Sequence, residues 1–326
     1  MSEVTPGLVV VFGGSGFVGG QVVHALARRG WRVRIAARRP DRAWKLMTAG
    51  AVGQIHAVRC DVTRADDIAA ALRGATAVIN LVGILHEGGK RTFQALHVDA
   101  ARAIADASVA AGVSQFVHMS ALGASADSAS YYARTKAAGE AAVRAVRPDA
   151  IVIRPSVVFG PGDDFLNKFA TLSGFAPTLP LIGGGKTLFQ PVFVNDVAAA
   201  LANALSEDAF AGRTFELGGP TQMTFEDILT LIGAETGRRR LLLPLPFPVA
   251  RIIGALAQLT AIVGLKPVLT ADQVRLLQSD NVVSDGAEGL RELGVEPSGL
   301  DAIAPSYLWR YRKGGQFAAN PVLAEA

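Results

Sequence analysis

Residues 8–19 read LVVVFGGSGFVG. A short apolar run breaks into a glycine-rich turn and continues as a helical pattern. A strand that ends this way makes an anion site, because free backbone N–H groups and the positive end of the helix dipole face outward together. The spacing Gly13-x-x-Gly16-x-x-Gly19 gives each glycine a task. Gly13 permits the tight turn, Gly16 carries no Cβ to hold a pyrophosphate away, and Gly19 allows the helix to pack closely on the strand. Ser15, Phe17 and Val18 lie between them and are expected to face the same ligand. A strand before and a helix after are the context such a glycine pattern needs.

The helix Gln21–Arg29 leads to a second strand, Trp31–Ala37, which runs into Arg38-Arg39-Pro40. A site for NAD(H) places an acid about 20 residues after the glycines, on the ribose 2′-hydroxyl. Here the strand end offers two guanidiniums, whose forked donors suit a phosphate, so the expected cofactor is NADP(H) rather than NAD(H).

Strands and helices alternate from there. Gln54–Arg59, Ala77–Leu81, Gln115–Ser120 and Ala150–Arg154 read as strands. Thr63–Arg73, an alanine-rich Thr92–Ala111 and Tyr132–Val146 read as helices. This alternation predicts an α/β chain with right-handed crossovers and a parallel sheet. Ligands of such sheets bind outside the carboxyl ends of the strands. That places Asp61, Val62, Leu81, Val82, Gly83, Ser120 and Pro155 around one crevice with Gly13 and Arg38. After Gly160 the texture changes, and residues 161–326 are expected to form a smaller lobe, partly interleaved with the sheet of residues 1–160. Thr178–Lys186 reads as loop, and Gln190–Val194 as a short strand. Asp196 reads as N-cap of a helix to Ser206, and Phe215–Leu217 as a further strand. Thr224 reads as the cap of Phe225–Thr236, and the tail from Gly315 as frayed.

The 326 residues are half hydrophobic, with a net charge of +4 and one cysteine. Such a chain can bury a large core but has no disulfide framework. Cys60, at a strand end, reads as a buried, inert thiol. No basic stripe is interleaved with aromatics, which argues against nucleic acid. Arg238-Arg239-Arg240 and Asp163-Asp164 read as solvated turns. His24, His56, His86, His97 and His118 show no metal-ligand spacing, and His118 reads as a core residue. His86 and Glu87 follow the fourth strand near the crevice. No targeting signal is visible. The apolar stretch Leu241–Leu265 is broken by Pro244, Pro246, Pro248 and Arg251, too often for a membrane span. A helix Val249–Val263 is expected to lie against the core, a partner or a membrane surface.

The chemistry candidate is Tyr132-Ala-Arg-Thr-Lys136. Four apart on a helix, Tyr132 and Lys136 share a face. An ammonium beside a phenol is expected to lower the phenol's pKa, so that Tyr132 can exchange a proton with a carbinol or carbonyl oxygen.

Taken together, the chain resembles the extended or atypical short-chain dehydrogenases/reductases. The motifs are Gly13–Gly19, Asp61-Val62, Tyr132-x-x-x-Lys136, Arg154-Pro-Ser-Val-Val-Phe-Gly-Pro-Gly162 and Gln190–Asp196. Within them it is most similar to the NAD(P)H-binding accessory subunits of respiratory complex I and their bacterial relatives. That likeness rests on Val78–Gly83, Phe116–Ser120, Asp164–Phe169 and Lys186–Val192. The resemblance implies a Rossmann-type doubly wound sheet and a tightly held NADP(H), with Val158 added to the cofactor contacts. It also implies complex I subunits as partners, at the inner face of the cytoplasmic membrane, and the apolar stretch Leu241–Leu265 is the candidate peripheral membrane contact. One departure stands out. The hydroxyl that polarises substrate in active members aligns with Ala121, although a register one residue earlier gives Ser120. Two readings follow: an accessory or assembly subunit of the NADH:ubiquinone oxidoreductase, or an NADPH-dependent reductase or epimerase acting on a quinone- or isoprenoid-related substrate.

Overall fold

The computed structural model describes residues 6–206, 208–258 and 269–317. Seven strands form one sheet: β1 (Leu8–Phe12), β2 (Arg32–Ala37), β3 (Ile55–Arg59), β4 (Ala77–Asn80), β5 (Gln115–Met119), β6 (Ile151–Pro155) and β7 (Thr214–Leu217). Their spatial order is β7-β6-β5-β4-β1-β2-β3, with every neighbouring pair parallel. The order switches direction between β1 and β4, and such a switch point opens the ligand crevice of a doubly wound fold. The helices that matter below are α1 (Phe17–Arg28), α2 (Ala65–Leu72), α3 (Ala100–Ala110), α4 (Tyr131–Val146), α5 (Leu166–Phe175), α6 (Val194–Asn203), α7 (Phe225–Thr236), α8 (Phe247–Gln258) and α9 (Ala271–Leu276).

All five residues of β1 are buried, as expected when helices cover both faces of a parallel sheet. On one face Val10, Phe12, Val78 and Phe116 form a single core with Ile68, Ile104, Ala105 and Val143. Helix α1 buries Val22, Val23 and Leu26.

The chain divides into two compact units. The first comprises Met1–Pro155, Asn195–Leu217 and Asp285–Glu296; the second comprises Ser156–Val194, Gly218–Ser284 and Pro297–Ala326. The second unit holds three two-stranded pairs: Val158–Phe159 with Val192–Phe193, Leu188–Phe189 with Met223–Thr224, and Thr178–Ile182 with Leu241–Leu245. Its core gathers Phe159, Leu166, Phe189, Phe225, Ile228 and Tyr307. The rings of Phe165 and Phe225 lie 5.4 to 6.4 Å from each other and from those of Phe169 and Phe189.

Thr224 caps α7 as its sequence position predicts. Its hydroxyl accepts from the Asp227 N–H, Asp227 reaches back to the Thr224 N–H, and Gly237 closes the helix in the left-handed region at φ 63°. Several expectations are corrected. Thr178–Ile182 is a strand, not a loop, because Leu179, Leu181 and Ile182 are buried against the second unit's core. Helix α6 begins at Val194, so Asp196 sits inside its first turn rather than at the cap. There its charge still meets the positive helix end favourably. The long helix over 92–111 is two pieces, a π-helical turn Gln94–Asp99 followed by α3. The Asp163 carboxylate is buried, accepting from the N–H groups of Gly160, Phe165 and Asn167 and from the Tyr307 hydroxyl, at 2.8 to 3.1 Å. Arg238 and Arg240 do not simply point into solvent: their Nε atoms donate to the carbonyls of Tyr311 and Ser173, each at 2.9 Å. The apolar helix runs over Phe247–Gln258. The rest of the Val249–Val263 expectation, and the tail beyond 317, lie outside the described residues.

Candidate nucleotide-binding site

The glycine turn is built as its spacing requires. Gly13 adopts φ +81°, and a Cβ there would lie 3.1 Å from the Leu81 carbonyl oxygen. Gly16 is exposed, and a Cβ on it would approach only the Gly13 oxygen, at 3.2 Å. The space beyond it is therefore open to a phosphate. A Cβ on Gly19 would run into the Gly13 carbonyl oxygen and lie 2.6 Å from Gly14 Cα. Gly19 thus fits the helix to the turn itself rather than to the strand. Helix α1 has no side-chain cap. The N–H groups of its first turn, at Phe17 and Val18, are the donors such a terminus leaves for a ligand, and Ser15 stands exposed beside them.

Arg38 and Arg39 are exposed at the end of β2. Arg39 is not alone, since its Nη2 lies 2.9 Å from Asp41, the carboxylate that directly follows Arg38-Arg39-Pro40. The next strand end is close, because the Cys60 N–H donates to the Ala37 carbonyl. Cys60 is buried, and burial pushes its thiol up to about 12, so it is inert as expected. The Asp61 carboxylate accepts from the Thr63 N–H and hydroxyl, which fixes the turn into α2. Val62 is buried at the edge of the sheet core.

Around Tyr132 and Lys136 the structure assembles more than the sequence announced. Asn80, fully buried, accepts from the Val82 N–H and faces His118 Nδ1 at 3.2 Å. That shapes the Leu81-Val82-Gly83 segment. A Cβ on Gly83 would lie 3.8 Å from His97 Nε2 and 3.9 Å from Lys136 Nζ, so this segment borders the Tyr-Lys helix. His97 Nε2 accepts from the Ile84 N–H at 3.1 Å. Its Nδ1 therefore carries the proton and donates to Thr135 Oγ1 at 3.0 Å. Thr135 in turn donates to the Tyr132 carbonyl. The His97 ring stacks on Phe93 and meets the Tyr132 ring edge-on at 5.3 Å. Burial, with Lys136 nearby, holds both His97 and His118 down at about 3, so both are neutral. His118 is the core residue expected. His97 was missed, since a π-turn has no compositional signature and its partners are brought up by the fold. Glu87, expected near the crevice, accepts from the Phe93 N–H.

The expected effect of Lys136 on Tyr132 is corrected. The ammonium donates to the Met119 carbonyl at 2.9 Å. Burial pushes the Tyr132 phenol up to about 12 and Lys136 down to about 8, against the upward pull of Glu140. Glu140 is itself held by Arg154 through two hydrogen bonds. Desolvation outweighs the ion here, so Tyr132 is a neutral phenol at neutral pH.

Ser120 ends β5, its N–H donating to Ile153. Its hydroxyl is buried and has no hydrogen-bond partner, an uncommon state for a buried donor. Leu122 donates to the carbonyl of Pro155, the last residue of β6. An orphaned hydroxyl at this strand end, an open glycine turn and an uncapped helix are what a dinucleotide would satisfy, so the first unit's residues fit NADP(H) or NAD(H). Val158 lies in the second unit, in the strand Val158–Phe159. Among the described residues no cluster of His, Cys, Asp and Glu could hold a metal.

Comparison with known proteins agrees with this geometry. Residues 9–218 match the NAD dependent epimerase/dehydratase family. The chain belongs to that family. It is 37% identical over 313 residues to the NADH dehydrogenase [ubiquinone] 1 alpha subcomplex subunit 9, mitochondrial, of Mus musculus, covering 95% of this chain and 82% of the relative. It is 33% identical over 203 residues to the ceramide reductase of Caulobacter vibrioides, covering 62% of each. Among solved structures, the Citrobacter triphenylmethane reductase complexed with NADP(H) superposes with a TM-score of 0.71 at 17% identity, over 92% of this chain and 99% of that one. For this member the family likeness establishes the fold and a nicotinamide cofactor.

Proposed function

We propose that this family member is an NADP(H)-holding accessory subunit of the respiratory NADH:ubiquinone oxidoreductase, on the inner face of the cytoplasmic membrane. The observation that carries this is likeness over nearly the whole chain, 95% of it, to a subunit of that enzyme. The site chemistry supports holding over turnover. When bound, the nicotinamide supplies hydride chemistry, but Tyr132, the hydroxyl that would exchange the matching proton, is poorly poised for it. Tyr132 keeps its proton to about 12, and Lys136 is turned onto a backbone carbonyl. A general acid or base works best with a pKa near the working pH. In this reading Tyr132 and Lys136 hold the nicotinamide ribose, Ser120 completes its hydrogen bonding on the nicotinamide side, and the first turn of α1 takes the pyrophosphate. Arg38 and Arg39 take a ribose phosphate, with Asp41 keeping Arg39 in place. A second reading, reduction of a lipid-like carbonyl, is favoured by the ceramide reductase likeness alone, which covers 62% of the chain.

The test is native purification from membranes in mild detergent, with released nucleotide identified by mass. Co-migration with NADH dehydrogenase activity and one NADP(H) per chain is the expected result. Released NAD(H) would refute the role of Arg38 and Arg39. A protein that migrates alone and turns over a carbonyl substrate would replace the accessory role with the reductase.

A further inference from the structure

Helix α8 is inside out for a globular protein. Its buried positions are the small residues Ala250 and Gly254. A Cβ on Gly254 would lie 2.8 Å from the backbone of both Thr270 and Ala271, so α8 is pressed against the start of α9 by its small side. The large apolar residues face out: Val249, Ile252, Ile253 and Leu256 are 45 to 64% exposed. Their spacing of i, i+3, i+4 and i+7 makes one continuous stripe. The strand leading into the helix also exposes Leu241 and Leu243, at 66% and 47%. Contiguous aliphatic surface of this kind marks an interaction site.

Charge identifies the occupant. From Gly237 to Ala271 the sequence contains no acidic residue, but it has Arg238, Arg239, Arg240, Arg251 and Lys266. Arg239 and Arg251 are exposed. A protein interface of this size is expected to carry aromatic anchors at its centre, and this stripe is wholly aliphatic. Aliphatic residues on one stripe, with exposed Arg239 and Arg251 in the same acid-free run of sequence and the first acid, Asp272, buried in α9, match a leaflet of anionic lipid. No helix among the described residues is long and apolar enough to cross a membrane.

We propose that the stripe Val249–Ile252–Ile253–Leu256, with its flanking arginines, seats the second unit on an anionic bilayer surface. This deepens the accessory reading by naming what the protein rests on. The helix lies in the plane of the interface, with its stripe reaching into the acyl boundary and Arg239 and Arg251 at the headgroups.

The experiment is vesicle flotation with the purified full chain. It compares phosphatidylcholine vesicles with vesicles in which about one-third of the lipid is phosphatidylglycerol. The chain is expected to float with the anionic vesicles only, and raising salt from about 0.05 to about 0.5 M should weaken the binding severalfold. Ile252→Asp combined with Leu256→Asp should lower the bound fraction about tenfold. Both residues are exposed, so the melting curve of this variant should match that of the wild type. Arg239→Gln with Arg251→Gln should reduce binding while leaving the stripe intact. Equal binding to neutral and anionic vesicles, or an unchanged Ile252→Asp/Leu256→Asp variant, overturns the proposal. Absence of vesicle binding, with a self-association that the double variant abolishes, assigns the stripe to a second copy instead. Co-migration in detergent reads protein contacts with lipid removed. A vesicle failure with co-migration retained therefore refutes this inference and leaves the accessory role standing.

Discussion

Lys136 offers a direct measurement of how dry the nicotinamide end of the site is. Burial takes its pKa from 10.5 down to about 8, which amounts to about 3 kcal/mol against the protonated form. The unfolded chain keeps this proton up to the ordinary lysine value, whereas the folded chain releases it near 8. Between those values the unfolded state binds more protons, so stability rises with pH. The penalty is fully present below about 8 and vanishes as pH approaches the unfolded value; about 2 kcal/mol of it is relieved between about pH 7 and about pH 10. Lys136→Met keeps the length of the side chain and removes the titration. The assay is urea unfolding of wild type and variant at both pH values. The Cys60 thiol, pushed up to about 12, works in the opposite direction, but it is common to both proteins and cancels in the difference. Tyr132 opposes Lys136 only above about pH 10, where the unfolded phenol ionises, so the comparison stops there. The variant's stability relative to wild type should fall by about 2 kcal/mol on going to the higher pH. A difference that does not change with pH would show that Lys136 is solvated in the folded protein, and the argument for a dry site would fail with it.

Two further outcomes follow from the packing. Gly19→Ala has no room, because its Cβ meets the backbone of Gly13 and Gly14. It should destabilise the protein by about 1–3 kcal/mol and weaken dinucleotide binding more than tenfold, read by thermal unfolding and by quenching of NADPH fluorescence; unchanged binding would mean that α1 does not carry the phosphate site. In the second unit, Tyr307→Phe removes one of four donors to Asp163 and should cost about 1 kcal/mol, whereas Asp163→Ala strands all four buried donors and should cost about 3 kcal/mol or more. Equal losses in urea unfolding would contradict the buried-carboxylate reading.

The elements with continuous local signals were legible in the sequence. β1 is an unbroken apolar run, the glycine turn has its required spacing, and Thr224 with Asp227 writes its own capping box. What escaped depends on partners that only the fold supplies. His97 bonds to Ile84 and Thr135, 13 and 38 residues away, and its π-turn is a widening of backbone hydrogen bonding without a compositional mark. The direction of the Tyr132 shift was misread because the sequence shows an ammonium four residues on. It shows neither the Met119 carbonyl that takes that ammonium nor the burial that governs both groups. Asp163 read as solvent-facing because two adjacent carboxylates usually are, and its four donors come from a turn and a tyrosine 144 residues later.

The distribution of charge across the site bears on what the protein does with its nucleotide. At neutral pH His97 and His118 are neutral, Tyr132 is a phenol, and Lys136 is held close to losing its proton. The redox end of the crevice therefore carries one cation, the Lys136 ammonium, which is turned onto the Met119 carbonyl, and its phenol keeps its proton far above neutral pH. The exposed donors for phosphate sit at the other end, in the uncapped first turn of α1 and in Arg38 and Arg39. Affinity then comes mainly from the phosphates, which do not change between the oxidised and reduced cofactor. A site of that kind holds both redox states about equally, and binding that favours no state along a reaction does not speed it. The same geometry serves a subunit that keeps a nucleotide in place as part of its folded structure. This is why the Tyr132 phenol that keeps its proton to about 12, with Lys136 turned onto a backbone carbonyl, rather than the missing hydroxyl at Ala121, is the stronger physical ground for the accessory reading.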